Sequence, residues 1–170
     1  MTDFDEFFAA HYERVVVSLR LAFGSSSDSE DAAQEAFAKA MLRWRSVSRM
    51  DRPSTWVYVV AVRELRRRAR RHVHRFSASS QDGNDQRDIG TPDPADMVVT
   101  NAVLGAALGV LPARQRLAVA LRFHGDLSVK EVARAMGCSE GTVKASLHAA
   151  MARLRVHLGD RDLDGANDGS

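Results

Sequence analysis

The chain has 170 residues, 45% hydrophobic and 27% charged, the balance of a folded protein with room for one domain or two small ones. Its single cysteine, Cys138, excludes an internal disulfide and a cysteine-based zinc site, and no run of 18 apolar residues is present to cross a membrane. The net charge of +2 conceals strong segregation: seven arginines face one glutamate between Ala61 and Phe76, while five aspartates face Arg87 alone between Ser77 and Asp96.

Residues 4–23 form the first predicted helix, with Phe4, Phe7, Phe8, Val15, Leu19 and Ala22 at helical spacing. Gly24 and a serine cluster break it. Ser27 and Glu30 have capping-box spacing and predict a second helix to about Arg45, with Ala33, Phe37, Ala40, Met41 and Trp44 inward. Asp31, Gln34, Glu35 and Lys39 then lie outside. Pro53 suits the first turn of a third helix to about Arg75, apolar in its first half and arginine-rich in its second. Residues 77–95 are polar, with two prolines, and predict a flexible acidic linker between residues 1–76 and a second module over 96–158. That module opens with helix Met97 to Val110, followed by one from Pro112 to about Phe123. The last segment, 159–170, carries four aspartates and predicts a disordered tail. With no strand-like alternation anywhere, the expected fold class is all-α, in two small helical domains.

The stretch from Leu127 to Lys144 spells two short helices around a tight turn. Ser128 and Glu131 make a capping box, Gly137 supplies a left-handed stop, and Ser139 caps the next helix. Val132, Ala133 and Met136 should pack against Val143, Leu147 and Leu154, leaving Glu140, Gly141, Lys144, Ala145 and His148 outside. A polar face at a helix N-terminus, braced by a shorter helix, is how a helix-turn-helix enters the major groove. Lys144 and His148 are candidates for base or phosphate contact, with Ser139, Glu140 and Thr142 at the helix start. Arg122, Arg134, Arg153 and Arg155 are candidate phosphate clamps.

The arginine-rich helix offers a second polyanion surface. Arg63, Arg66, Arg67, Arg70 and His74 recur along one stripe, and guanidinium groups so aligned pair with successive phosphates. Trp56 and Tyr58 precede that stripe, and aromatic faces beside a basic track suit unstacked bases. Core packing of Trp56 is the alternative. Catalysis finds no support: there is no Gly-rich phosphate loop, no spaced metal-ligand set and no Ser/His/Asp cluster, so neither enzyme activity, nor cofactor, nor metal is expected. Cys138 fits packing in the turn, with a redox role as the alternative. The acidic N-terminus, Met1 to Glu6, is unlike a secretory signal and points to a cytoplasmic protein.

The order of these features resembles the extracytoplasmic-function (ECF) group of bacterial sigma-70 family transcription initiation factors. Asp31-Ala32-Ala33-Gln34-Glu35-Ala36-Phe37 to Trp44 is similar to the family's region 2.2, and Trp56-Val57-Tyr58 to Arg71 to regions 2.3 and 2.4. Leu111-Pro112-Ala113-Arg114-Gln115-Arg116 opens region 4, and Leu127 to Arg155 completes it. The resemblance implies a factor that binds core RNA polymerase and directs it to promoters, where it contacts double- and single-stranded DNA. By that carry-over Asp31, Gln34 and Glu35 face the polymerase, although a solvated face fits the same residues. Trp56, Tyr58, Arg63, Arg66, Arg67 and Arg70 handle the −10 element and its melting, with the Ser46 to Arg52 loop near a flipped base. The second helix of the terminal motif reads the −35 element. The resemblance also implies an anti-sigma protein as partner. Glu64, where the family often has asparagine nearby, and Ser146 and Ala149, where it commonly has arginines, depart from the pattern. A stand-alone operator-binding regulator is the rival; it would leave the arginine helix and the Asp31/Gln34/Glu35 face without a role.

Overall fold

The computed structural model describes residues 3–24, 26–76 and 102–165, and these are helical with short connections. The first module comprises α1 (Phe4–Phe23), α2 (Ser26–Leu42), the single turn α3 (Trp44–Val47) and α4 (Pro53–Phe76). The second comprises α5 (Ala102–Gly109), α6 (Ala113–Val119), α7 (Val129–Met136) and α8 (Glu140–Gly165). The linker, residues 77–95, and the predicted start of the next helix at Met97 lie outside the described residues.

Local chemistry accounts for most of the boundaries. Asp5 and Glu6 complement the dipole at the start of α1, and Gly24, at φ 78°, ends it with its N–H on the Arg20 carbonyl. Ser128 and Glu131 form the expected reciprocal capping box on α7, and Gly137, at φ 66°, closes it in the left-handed region. The Thr142 N–H donates to Ser139 Oγ at 3.1 Å, so Ser139 caps α8.

Other boundaries differ from expectation. Helix α2 begins at Ser26, which places Ser27 inside it, and the Glu30 carboxylate instead pairs with Arg20 of α1. It also stops at Leu42, because Arg43 leaves helical geometry and the chain restarts at Trp44. Trp44, not Met41, therefore closes the aromatic cluster, with its ring 5.3 Å from Phe4 and 4.9 Å from Phe7. Met41 is correspondingly 54% exposed. The helix predicted from Pro112 starts at Ala113 and widens at its end into a π-helical turn, Ala120–His124. Helix α8 continues to Gly165, past the predicted onset of a tail at Gly159.

Helices α1, α2 and α4 pack around Val15, Leu19, Phe37, Val57 and Val62, while α6, α7 and α8 pack around Leu117, Val132 and Val143. These interiors are continuous. Helix α1 lies on α6 and the π-helical turn, α4 lies on α7, and the buried apolar residues of both modules form one cluster. Gly125 makes the close approach possible: a Cβ there would stand 3.2 Å from the Tyr58 ring and 2.7 Å from the Leu121 carbonyl oxygen.

Candidate nucleic-acid interface

The start of α8 presents the surface that its sequence predicts. Val143 is fully buried against α7 and Leu147 and Leu154 are half-buried, which turns Ser139, Glu140, Gly141, Lys144, Ala145 and His148 to solvent. Thr142 is half-buried, its hydroxyl 2.9 Å from that of Ser139. Arg134, Arg153 and Arg155 are exposed around this face. Arg122 is half-buried, donating to the Leu127 carbonyl at 3.3 Å and lying 5.7 Å from the centre of the Phe123 ring. A helix N-terminus with free polar side chains and flanking cations has the shape and charge for a groove floor with phosphates at its rims.

The arginine stripe on α4 is less uniform than its periodicity suggests. Arg63 and Arg70 are exposed. Arg67 forks onto Glu64 Oε2 through Nε at 3.0 Å and Nη2 at 2.7 Å, and Lys39 of α2 holds the other carboxylate oxygen at 2.7 Å. Glu64 is only 6% exposed. The Lys39 hydrogen bond, with that from Arg67, holds its carboxyl below the usual range against the opposing pull of burial. At this departure from the family pattern stands a structural carboxylate that ties α2 to α4. Arg66 turns toward the second module and donates to the Met136 carbonyl at 2.6 Å, its pKa lowered by burial and by nearby Arg114.

Trp56 is half-buried against the core, while Tyr58 is 1% exposed. The Tyr58 hydroxyl lies 3.0 Å from Ser18 Oγ, and the same Ser18 oxygen lies 2.8 Å from His124 Nδ1. Burial raises the tyrosine pKa and lowers that of the histidine, and Arg14 lowers both. Tyr58 thus sits where the two modules meet, covered from any base in this arrangement.

On α2, Asp31, Gln34 and Glu35 are exposed as expected. Asp31 receives Arg68 of α4 at 3.0 Å, and Glu35 pairs with Lys39 at 3.2 Å. The same face continues through exposed Ala38 to Met41 and to Leu42, which is 81% exposed. The sequence held a signal for Leu42, which falls off the stripe of Ala33, Phe37, Ala40 and Trp44.

Periodicity gave no signal for the contacts between modules. Arg52 reaches Glu131 Oε2 at 3.1 Å and the Asp126 carbonyl at 2.9 Å, and Thr55 Oγ1 donates to Glu131 Oε1 at 2.5 Å. Burial raises the Glu131 pKa, but the hydrogen bonds from Thr55 and Ser128, with the charge of Arg52, bring it below the ordinary value. Asp126 accepts a left-handed backbone at φ 55° in this turn, a conformation that aspartate tolerates better than most residues. Arg116 is 3% exposed and donates through Nε to the Ala22 carbonyl at 2.8 Å and through Nη1 to that of Leu111 at 3.2 Å. It satisfies a free carbonyl near the end of α1 with a charged donor. Among the described residues no cluster of His, Cys, Asp or Glu could hold a metal ion, and no helix is long and apolar enough to cross a membrane.

Comparison with known proteins finds a match for each module. The family described as Sigma-70 region 2 matches residues 7–75, and that described as Sigma-70, region 4 matches residues 102–154. The RNA polymerase sigma-E factor of Streptomyces coelicolor is 31% identical over 162 residues, 95% of this chain and 89% of that protein. The ECF RNA polymerase sigma factor SigL of Mycobacterium tuberculosis is 28% identical over 144 residues, 83% and 80% of the two chains. In fold, the chain is similar to the sigma factor RpoE in its complex with the anti-sigma factor NepR from Bartonella quintana. That match has a TM-score of 0.71 at 19% identity and covers 94% of this chain and 98% of the other. With a region 2 module ending in a basic helix, a region 4 module ending in a helix-turn-helix, and relatives matched over most of their length, the chain belongs to the ECF group of sigma-70 family RNA polymerase sigma factors.

Proposed function

We propose that the exposed strip along α2 is the docking surface for core RNA polymerase, and that the two basic surfaces then engage promoter DNA. The observation that carries this is the composition of the strip. Gln34 and Glu35 are followed on one helix face by Met41 and by Leu42, with most of its surface in water. Exposed apolar side chains next to polar ones are poor solubilising residues and good interface residues. A stand-alone operator binder has no use for such a strip.

In this reading Asp31, Gln34 and Glu35 give the contact its polarity, and Met41 and Leu42 give it apolar area. Ser139, Glu140, Gly141, Thr142, Lys144, Ala145 and His148 enter the major groove at the −35 element, with Arg122, Arg134, Arg153 and Arg155 on the phosphates. Trp56, Arg63, Arg66, Arg67 and Arg70 serve the −10 element, the arginines by neutralising backbone charge and the tryptophan by stacking on unpaired bases, with buried Tyr58 reaching a base only when the second module moves off it. Separating base pairs costs about 1.4 kcal/mol per step in stacking. Stacking on aromatic side chains returns about 1–3 kcal/mol per base, so melting needs no nucleotide hydrolysis at this surface. The chain is thus a cytoplasmic initiation factor with no catalysis of its own, held in check by an anti-sigma protein that covers the same α2 strip.

The test is capture of bacterial core RNA polymerase by the purified chain, compared with a Gln34→Ala/Glu35→Lys variant. Near-stoichiometric capture by the wild type and its loss in the variant are expected. Absence of capture at physiological salt would reject the docking surface.

A further inference from the structure

We infer, resting on the −10 assignment proposed above, that Glu64 is a positioning residue: it fixes Arg67 as the reader of a guanine in the −10 region, while Arg63 and Arg70 hold phosphates. Arg67 gives its Nε–H and one Nη2–H to the same oxygen of Glu64, Oε2, at 3.0 and 2.7 Å. Lys39 of α2 takes the other oxygen, Oε1, at 2.7 Å, and is itself steadied by Glu35 one turn back at 3.2 Å. The Glu64 side chain, 8% exposed, is thus gripped from both sides. Those two hydrogen bonds keep its carboxylate ionised in spite of burial.

A guanidinium has five N–H donors, so the fork onto Glu64 leaves one on Nη2 and two on Nη1. Arg67 keeps 51% of its side chain in water, and these remaining donors are free to meet a ligand there. They form a planar edge held at one orientation, and the O6 and N7 acceptors of guanine are the base edge that such a pair of donors matches. Charge argues the same way. Across Glu35, Lys39, Glu64 and Arg67 two carboxylates offset two cations, so this cluster attracts phosphate weakly and contributes little to counterion release. Directional donors without surplus charge suit a base, because phosphate contacts position and base contacts specify. Arg63 and Arg70, both exposed, suit phosphates better. Arg66 and Arg68 are turned elsewhere, to the Met136 carbonyl and to Asp31.

The experiment measures binding of the full chain to two probes across a salt series: a single-stranded 20-mer of thymidine, and the same strand with guanine at every fourth position. The wild type should bind the guanine-bearing strand about tenfold more tightly. Glu64→Gln frees the fork and uncovers its charge, so it should abolish that preference and steepen the log–log salt slope by about 0.7, one further phosphate contact on a single strand. Should Glu64→Gln fold poorly, Arg67→Lys, at an exposed position, keeps the charge without the fork. It should lose the preference and leave the slope unchanged. Arg63→Ala/Arg70→Ala should do the reverse, flattening the slope by about 1.4 with the preference intact. A preference that survives both Glu64→Gln and Arg67→Lys belongs to stacking and overturns the role of the pair. Equal affinity of the wild type for the two strands overturns base reading, while weaker binding by Arg63→Ala/Arg70→Ala leaves the −10 assignment standing. Binding of neither strand, or binding indifferent to Arg63→Ala/Arg70→Ala, overturns the −10 assignment and the reading of guanine with it.

Discussion

The helix-turn-helix face and the arginine helix carry the same kind of charge, yet the protein holds them in opposite ways. The α8 face is set by its neighbours in sequence: Ser139 caps it, Val143 anchors it, and Lys144 and His148 stand free. Parts of α4 are instead tied to residues far away, with Arg66 committed to Met136 and Tyr58 to Ser18 and His124, while Arg63 and Arg70 stay exposed. A locally determined surface is available as soon as its helix forms. One wired into a distant module changes when that module moves, and can therefore be regulated.

The largest effect that bears on this comparison is expected at Arg116. Its buried guanidinium serves the Ala22 carbonyl across the junction, so Arg116→Ala should lower stability by about 1.5–3 kcal/mol, as a lost hydrogen bond to a charged group does. If both modules share one interior, urea unfolding monitored in each will shift together; an unmoved first module would show that the continuity does not matter. Ser128→Ala removes the side-chain acceptor of the α7 capping box and should cost about 1 kcal/mol. The loss should appear as faster amide exchange in α7 ahead of α1.

Acidification should act chiefly on the wired side. Burial, aided by Arg14, lowers the pKa values of His124 and His11 from 6.5, and Arg52 adds to the effect at His11. The unfolded chain therefore takes up these protons first, and stability present above pH 6.5 is lost as pH falls toward the folded values. Around His124 stand Arg14 and Ser18 from α1, Tyr58 from α4 and Asp126 in the following turn, and Arg14 offers its proton no stabilisation. The urea midpoint should drop between about pH 7.5 and 5.5, and His124→Gln should flatten that drop. Lys144→Ala should change stability by no more than about 0.5 kcal/mol. Its effect belongs to DNA, where losing one phosphate contact lowers the log–log salt slope of duplex binding by about 0.9.

The same contrast explains what could be read in advance. Ser128, Glu131, Gly137 and Ser139 specify the helix-turn-helix within a dozen residues, so its elements and outward face were legible. Apolar periodicity likewise placed α1 and most of α4. Periodicity says which face of a helix is buried without saying what covers it, so the roles of Ser18, Arg52, Thr55 and Arg116 were hidden. Their partners lie 74 to 106 residues away in the cases of Asp126, Glu131, Ala22 and His124. Met41 was misplaced for a nearer reason: the break at Arg43 rotates the chain, and Trp44 takes the inward position that an unbroken helix would have shared with it.

Transcription in vitro tests the central claim most directly. Core RNA polymerase would be given genomic DNA fragments with the chain, without it, and with a Leu42→Asp variant, and transcript 5′ ends would be mapped. Discrete start sites should appear only with the wild-type chain and vanish with the variant. Start sites indifferent to the chain, together with tight sequence-specific DNA binding by the chain alone, would contradict the claim.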